Sequence, residues 1–445
     1  MGPFFSGLRI YWLALTAAII TIELGLGPVV GMDTDFWWHL AAGERLAQHG
    51  LELTDPFSFT HPNQAWGRID WLFQALVYAI YSMGGLSAVL ATRSLMLLLS
   101  AVFLGLALRR NGATWGVGWF LVMLTCSIWA QAVSLRPGTV SMFFTTLFLW
   151  LLEEARHGKV QRLWALPPLM VLWFNMHVAA LAGCLMVGIY WVANLIDCFG
   201  LRSKSLDRRW LLVVVGCALA VFVNPQGWLQ VYYPVHFLLV KSAWSQVIAE
   251  VQRPAWNSPG TLQCWLLLAL ATLGSVHWWR RGHSAPALLT ITLGYLVTST
   301  YRHQFQLCPV LACLAAPPLM GLLARDRFHL TRWLLLGLSG LWALRSALLL
   351  PLKLPLEGLV RRETFAEQVG QIVSQGPEGL KLFTDMNSAG YYIWHTKGRQ
   401  KVFIDSRGDQ VYLRKGFVEA YFEILLGRTH ALELLDRFEV DAIAN

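Results

Sequence analysis

The chain has 445 residues, of which 56% are hydrophobic and only 14% charged, with 22 tryptophans and a formal charge of +9. So apolar a composition excludes an ordinary soluble domain and indicates a polytopic α-helical membrane protein. The positive charge comes in short clusters between apolar runs, the pattern of cytoplasmic loops, so no nucleic-acid partner is expected. All seven cysteines lie inside apolar runs, which implies neither a disulfide framework nor a CxxC metal site.

The first apolar run, 8–30, is longer than a signal-peptide core and reads as a retained signal anchor. Further runs at 86–108, 115–133, 138–152, 163–176, 178–198, 210–223, 261–279, 285–300, 304–323 and 333–351 bring the expectation to about 11 spans. Several fall short of the roughly 20 residues of a perpendicular crossing, so broken helices are expected among them. With the N-terminus cytoplasmic, fifteen Lys and Arg fall in inside loops and six in outside loops, which sets the orientation. Residues 70–83 are also apolar, but a crossing there would reverse every later loop. They read as a re-entrant or interfacial helix ended by Gly84-Gly85. The first loop, about 31–85, and the tail after about 352 then both face the periplasm or exterior.

Composition changes abruptly after the punctuation Pro351-Leu352-Lys353-Leu354-Pro355. Residues 381–384 and 401–404 read as short strands, 417–426 and 430–438 as amphipathic helices, and 440–444 as another strand. The expected organisation is a transmembrane module, 1–351, followed by a small periplasmic α/β domain, 352–445.

The chemistry concentrates just after the first span, in Asp33-Thr34-Asp35-Phe36-Trp37-Trp38-His39. If a helix begins near Thr34, Asp35 and His39 stand one turn apart, and an imidazole beside a carboxylate suits a general base. The same residues also suit an interfacial helix, with Asp33 as N-cap, Asp35 on the helix dipole, and Trp37 and Trp38 in the aromatic belt. Spacing leaves both readings open. Arg136-Pro137, Asn175, His177, Asn224-Pro225 and Arg302-His303 fall at span ends on the same side. Guanidinium forks match phosphate oxygens, whether of a specific lipid or of ordinary headgroups. Glu23 and Arg93 lie within spans, where ionisable groups face the protein interior.

In the first loop, Asp55 and Pro56 shape a turn, and Asp70 either caps the next helix or points into the cavity, with capping ranked first. Asp385, Asn387, Gly390, Tyr391, Asp405, Arg407 and Asp409 follow the two predicted strands. They read either as an acceptor site at strand ends or as turn residues with an Asp405/Arg407 surface pair. There is no glycine-rich phosphate loop.

With these motifs in place, the chain resembles the GT-C glycosyltransferase superfamily, particularly its members with a D-x-D-x-W-W-H-L segment after the first span. The residues that carry the resemblance are 33–44, 54–60, Ser134-Leu135-Arg136-Pro137, Trp173-Phe174-Asn175-Met176-His177, Asn224-Pro225-Gln226-Gly227-Trp228, Tyr301-Arg302-His303 and 402–407. The resemblance implies a sugar donor carried on a polyprenyl phosphate, a periplasmic glycan, lipid or protein acceptor, and an inverting transfer with a first-loop aspartate as base. Catalytic candidates are Asp33, Asp35 and His39. Arg136, Arg302 and His303 are the candidates for the donor phosphate, and Asn175, His177 and Asp70 are further cavity residues. Superfamily members work with and without a divalent metal, and this sequence requires none. Two other classes fit parts of the pattern: a transporter or flippase of lipid-linked sugars, which needs a polar path across the bilayer, and a non-catalytic assembly protein, which would tolerate loss of Asp33 and Asp35.

Overall fold

Helix α1 (Thr34–His49) opens the part of the chain seen in the computed structural model, which describes residues 34–132, 134–201, 207–239, 248–258, 260–325, 367–412 and 414–444. The first and last expected spans, Glu23, Asp33 and the expected domain boundary lie outside those residues. Helix α1 buries Phe36 to Gly43 and exposes only its end, Ala47 to His49, so it lies against the protein rather than crossing a membrane.

Helix α2 (Trp71–Arg110) is 40 residues long but is not one straight rod. Gly84 and Gly85 leave the helical region, and Gly85 adopts a left-handed φ of 60° that an L side chain rarely takes. The apolar stretch 70–83 is therefore a separate helical arm that runs straight into the longer apolar helix, broken at the glycine pair the sequence marks.

There follow α3 (Trp115–Trp129), α4 (Pro137–Arg156), α5 (Leu166–Met176), α6 (Leu181–Ile196), α7 (Arg208–Ala220), α8 (Trp228–Leu239), α9 (Thr261–Arg280), α10 (Ala285–Ser299) and α11 (Tyr301–Arg325). Among the described residues, four stretches are long and apolar enough to cross a membrane: Trp71–Arg110, Val178–Phe199, Thr261–Arg280 and Tyr301–Leu322. Trp115–Trp129 and Ala285–Ser299 are shorter apolar helices. This is an integral membrane protein. Helix α8 has no counterpart in the expected spans; its Gln230 side chain donates to the carbonyls of Ile69 and Phe174, pinning it to the start of α2 and the end of α5.

Helix α11 runs through the middle of the bundle, with Leu307 to Ala316 all buried, and Pro309 within it removes one backbone donor. In lipid such a helix is held by close packing rather than by exclusion of water, which Ala312, Ala315 and Ala316 permit. One end of the bundle is tied by Glu153, which accepts from Asn111 Nδ2 at 3.0 Å, Arg156 Nε at 2.9 Å and the Tyr190 hydroxyl. Arg156 also stacks on Trp278 at 4.5 Å. Four helices meet in that cluster, at the far end of α4 from Arg136.

Beyond residue 366 come α12 (Glu367–Gln375), β1 (Lys381–Thr384), α13 (Ala389–His395), β2 (Lys401–Val402), α14 (Phe417–Leu425), α15 (Ala431–Arg437) and β3 (Ala442–Ala444). The strands form a parallel sheet in the order β2-β1-β3, with Leu382 opposite Val402 on one side and Ala442 on the other. Helices α12 and α13 were not anticipated. Strand β2 is shorter than expected because the backbone bends at Phe403, and the chain turns after Ile404, where the Asp405 carboxylate accepts from the Arg407 amide.

The outer edge of β2 is not free. Val402 N donates to Phe57 O at 3.0 Å and Phe59 N to Val402 O at 3.3 Å, so the first loop adds an extended segment to the sheet. Trp38, Phe57 and Trp66 from the first loop and α1 share one buried cluster with Phe383, Phe403, Phe417 and Tyr421. Burial of each such aromatic is worth about 1.5–3 kcal/mol, enough to dock the two chain segments as one body.

Candidate active site

The local sequence dictates where each polar side chain emerges. Asp35 sits in the first turn of α1, where a carboxylate is favoured by the unpaired amides of the helix start. Arg136 precedes Pro137, and a residue before proline is forced into extended conformation; its φ of −106° and ψ of 166° do this. The guanidinium therefore leaves the start of α4 instead of lying along it. His177 caps α5 in extended conformation, and Asp70 stands immediately before α2. Arg302 is the second residue of α11, whose first amide, Tyr301 N, donates to Gln252 O at 2.9 Å. That bond holds the single helical turn Ala249–Val251 beside α11 and brings Glu250 to Arg302.

The result is a charged chain of four residues. Arg136 Nη1 lies 3.2 Å from Asp35 Oδ2 and 3.4 Å from Glu250 Oε1, and Arg302 Nη2 lies 3.2 Å from Glu250 Oε2. Asp35 exposes 20% of its side chain and Glu250 47%, so the chain runs from an enclosed carboxylate to an open one. Burial alone would raise the Asp35 pKa, but Arg136 beside it holds the carboxyl below the ordinary aspartate value.

Asp70 behaves in the opposite way. It makes no side-chain cap bond with α2, it is 6% exposed, and its Oδ1 has no hydrogen-bond partner among the described residues. Burial, with the Asp35 charge nearby, pushes its pKa up to about 8, against the pull of Arg302. The capping expectation is thus corrected. Asn175 explains the placement: its Oδ1 accepts from Trp71 Nε1 at 2.7 Å while its Nδ2 donates to the carbonyls of Val171 and Val223. With both ends of the amide engaged, Asn175 is a brace that fixes Trp71, and hence Asp70, against α5.

The histidines are neutral. His39 is buried, stacks on Trp38 at 3.7 Å and meets the edge of Phe73, and burial drops its pKa to about 3. Its Nδ1 has no hydrogen-bond partner among the described residues, so it packs near Asp35 rather than orienting it. His177 Nδ1 shares a hydrogen bond of 2.7 Å with Ser141 Oγ, which accepts from Trp173 Nε1; burial and Arg302 lower its pKa to about 3. His303 turns away, with Nδ1 3.3 Å from Leu296 O in α10.

The sequence reading therefore named Asp35, Arg136, Arg302, Asp70, Asn175 and His177 at this end, and missed Glu250. An acidic residue alone in a polar loop gives no signal, and only the Tyr301–Gln252 bond reveals its place. Among the described residues no group of three His, Cys, Asp or Glu is placed to hold a metal ion.

The C-terminal segment reaches this site through a second cluster. Arg407 Nη1 lies 2.7 Å from Asp55 Oδ1 and Nη2 2.6 Å from Asp405 Oδ2, and all three side chains are wholly buried. Tyr412 donates to Asp405, and the Asp55 carboxylate also accepts from the amides of Phe57 and Ser58. Trp66 is sandwiched between Arg407 at 4.6 Å and Arg68 at 4.3 Å. The Asp405/Arg407 pair is thus not a surface pair, because Asp55 of the first loop completes it. This clamp brings Ser406 to Asp35, and α13 packs so closely on α1 that a Cβ on Gly390 would stand 3.0 Å from Thr34 O.

No family model and no curated protein matches the chain. Its fold is shared with solved membrane glycosyltransferases of the GT-C superfamily. The oligosaccharyltransferase AglB of Archaeoglobus fulgidus, in complex with an inhibitory peptide and a dolichol-phosphate, superposes with a TM-score of 0.66 at 10% identity, over 99% of this chain and 69% of that one. ArnT from Cupriavidus metallidurans superposes with a TM-score of 0.56 at 15% identity, over 93% of this chain and 88% of that one. At such identities the likeness establishes the GT-C fold.

Proposed function

We propose that the protein is a glycosyltransferase that moves a sugar from a polyprenyl-phosphate-linked donor to an acceptor at the periplasmic face of a bacterial inner membrane, with inversion at the anomeric carbon. The observation that carries this reading is the Asp35–Arg136 contact in a GT-C fold, with Arg302 beside it: a carboxylate able to take a proton adjoins guanidinium groups able to hold a leaving phosphate. AglB binds a dolichol-phosphate and ArnT shares the fold, which supports a lipid-linked donor.

In this mechanism the acceptor heteroatom attacks the anomeric carbon while its proton passes to Asp35. The carbon–oxygen bond to the phosphate breaks, and the electron pair leaves with the phosphate, whose charge Arg136 and Arg302 stabilise. Asp33 is the neighbouring carboxylate of the same motif and the alternative base. His39 and His177, both neutral, serve as walls and hydrogen-bonding groups rather than as charged partners.

The test is transfer from a synthetic glycosyl polyprenyl phosphate into cell-envelope acceptors, with wild type, Asp35→Asn, Asp33→Asn and the double variant. Loss of product in Asp35→Asn with normal membrane insertion supports Asp35 as base. Full activity in the double variant refutes the mechanism.

A further inference from the structure

Glu250 stands where the donor's leaving group is proposed to bind. Its two carboxylate oxygens are divided between two guanidinium groups, Oε1 toward Arg136 and Oε2 toward Arg302. A tetrahedral phosphate bridging two arginines uses its oxygens in the same way. The bridge is also accessible: the side chains of Glu250 and Arg302 are 47% and 48% exposed, so an incoming anion meets them first.

Charge decides what can replace that carboxylate. Glu250, formally −1, bridges Arg136 and Arg302, each +1, and Asp35, also −1, contacts Arg136 as well. His39 and His177 add nothing at neutral pH, and buried Asp70 is held protonated there. If Glu250 swings into solvent, the cradle becomes one unit more positive than at rest. A singly charged phosphodiester restores the resting charge while Asp35 stays ionised. A pyrophosphate diester, with two charges, adds one negative charge beyond the resting state beside enclosed Asp35, where repulsion is weakly screened.

We infer that Glu250 is a resident counter-ion of the Arg136–Arg302 cradle, exchanged one for one with the phosphate of the donor, and that the donor is therefore a monophosphate-linked and not a pyrophosphate-linked sugar. This rests on the reading of the two arginines as the phosphate site. Exchange has a second consequence: Arg136, shared at rest between Asp35 and Glu250, turns toward the phosphate, and Asp35 becomes a stronger base once the donor is seated.

The experiment is a binding titration in detergent with two synthetic probes, farnesyl-phosphoryl-glucose and farnesyl-pyrophosphoryl-glucose, on wild type, Glu250→Gln and Arg136→Ala. Phosphatidylglycerol, also a singly charged phosphodiester, serves as competitor. The expected result is tighter binding of the monophosphate probe to wild type, about tenfold stronger binding of it to Glu250→Gln, loss in Arg136→Ala, and no displacement by equimolar phosphatidylglycerol. Unchanged or weaker binding in Glu250→Gln, with loss in Arg136→Ala, overturns the counter-ion role and leaves the phosphate site standing. Preference of wild type for the pyrophosphate probe overturns the donor class. Equal displacement by phosphatidylglycerol reduces the cradle to a headgroup site, and absence of binding to every folded variant overturns the inference together with the reading beneath it.

Discussion

Arg136 Nη1 lies 3.2 Å from Asp35 Oδ2, joining the first turn of one helix to the residue that caps the start of another, 101 residues later in the chain. The contact makes Asp35 an ionised, directed carboxylate in a site where burial alone would raise its pKa. The predicted properties of the site follow from that balance.

Asp35→Asn keeps the side-chain shape and removes the proton acceptor. Transfer is expected to fall about 10²–10⁴-fold, the usual contribution of general base catalysis, with the binding of farnesyl-phosphoryl-glucose retained. Comparing product formation with probe binding in the same preparation checks this.

Arg136→Lys preserves the charge but loses the planar fork that serves Asp35 and Glu250 together. Partial activity is expected, with a raised pKa of Asp35. Because transfer needs the ionised form, the acid limb of the pH profile should move upward in the variant, and a profile measured from pH 4 to 8 reads it.

Asp70 carries a stability signature. Its folded pKa of about 8 lies above the ordinary aspartate value of 3.8, so its contribution is complete below that ordinary value and is lost progressively up to about pH 8. Asp70→Asn, which cannot ionise, should gain on wild type in thermal unfolding across that window, with the difference level above it. A constant difference from pH 4 to 9 would show that Asp70 ionises normally.

Arg407→Leu strands Asp55 and Asp405 in a wholly buried pocket. Breaking one partner of such a cluster costs about 3–5 kcal/mol. Limited proteolysis should then cut in the first loop and the C-terminal segment together, since the clamp joins them, while Glu52→Gln, which breaks a partly exposed pair with Arg45, should leave the pattern unchanged.

Asn175→Leu removes three hydrogen bonds and frees Trp71. The expected loss is about 1–3 kcal/mol in stability, read by unfolding temperature.

The sequence by itself determined what depends on neighbours in the chain. Apolar length set the helices, the Gly84-Gly85 pair set the break in α2, Pro137 turned Arg136 out of its helix, and the position of Asp35 in a first turn made it an anion site. What only the tertiary structure decided involves partners far apart. Arg407 looked like half of a surface pair because Asp55, which encloses it, lies 352 residues away. Glu250 carried no signal at all, since its role arises when one backbone bond sets its turn beside α11 and two guanidinium groups arrive from other helices. Asp70 and Asp35 are the same residue type on neighbouring segments, yet one is held neutral and the other charged. Burial acts on both, and the difference is a guanidinium 3.2 Å from Asp35, a distance that no periodicity or spacing encodes.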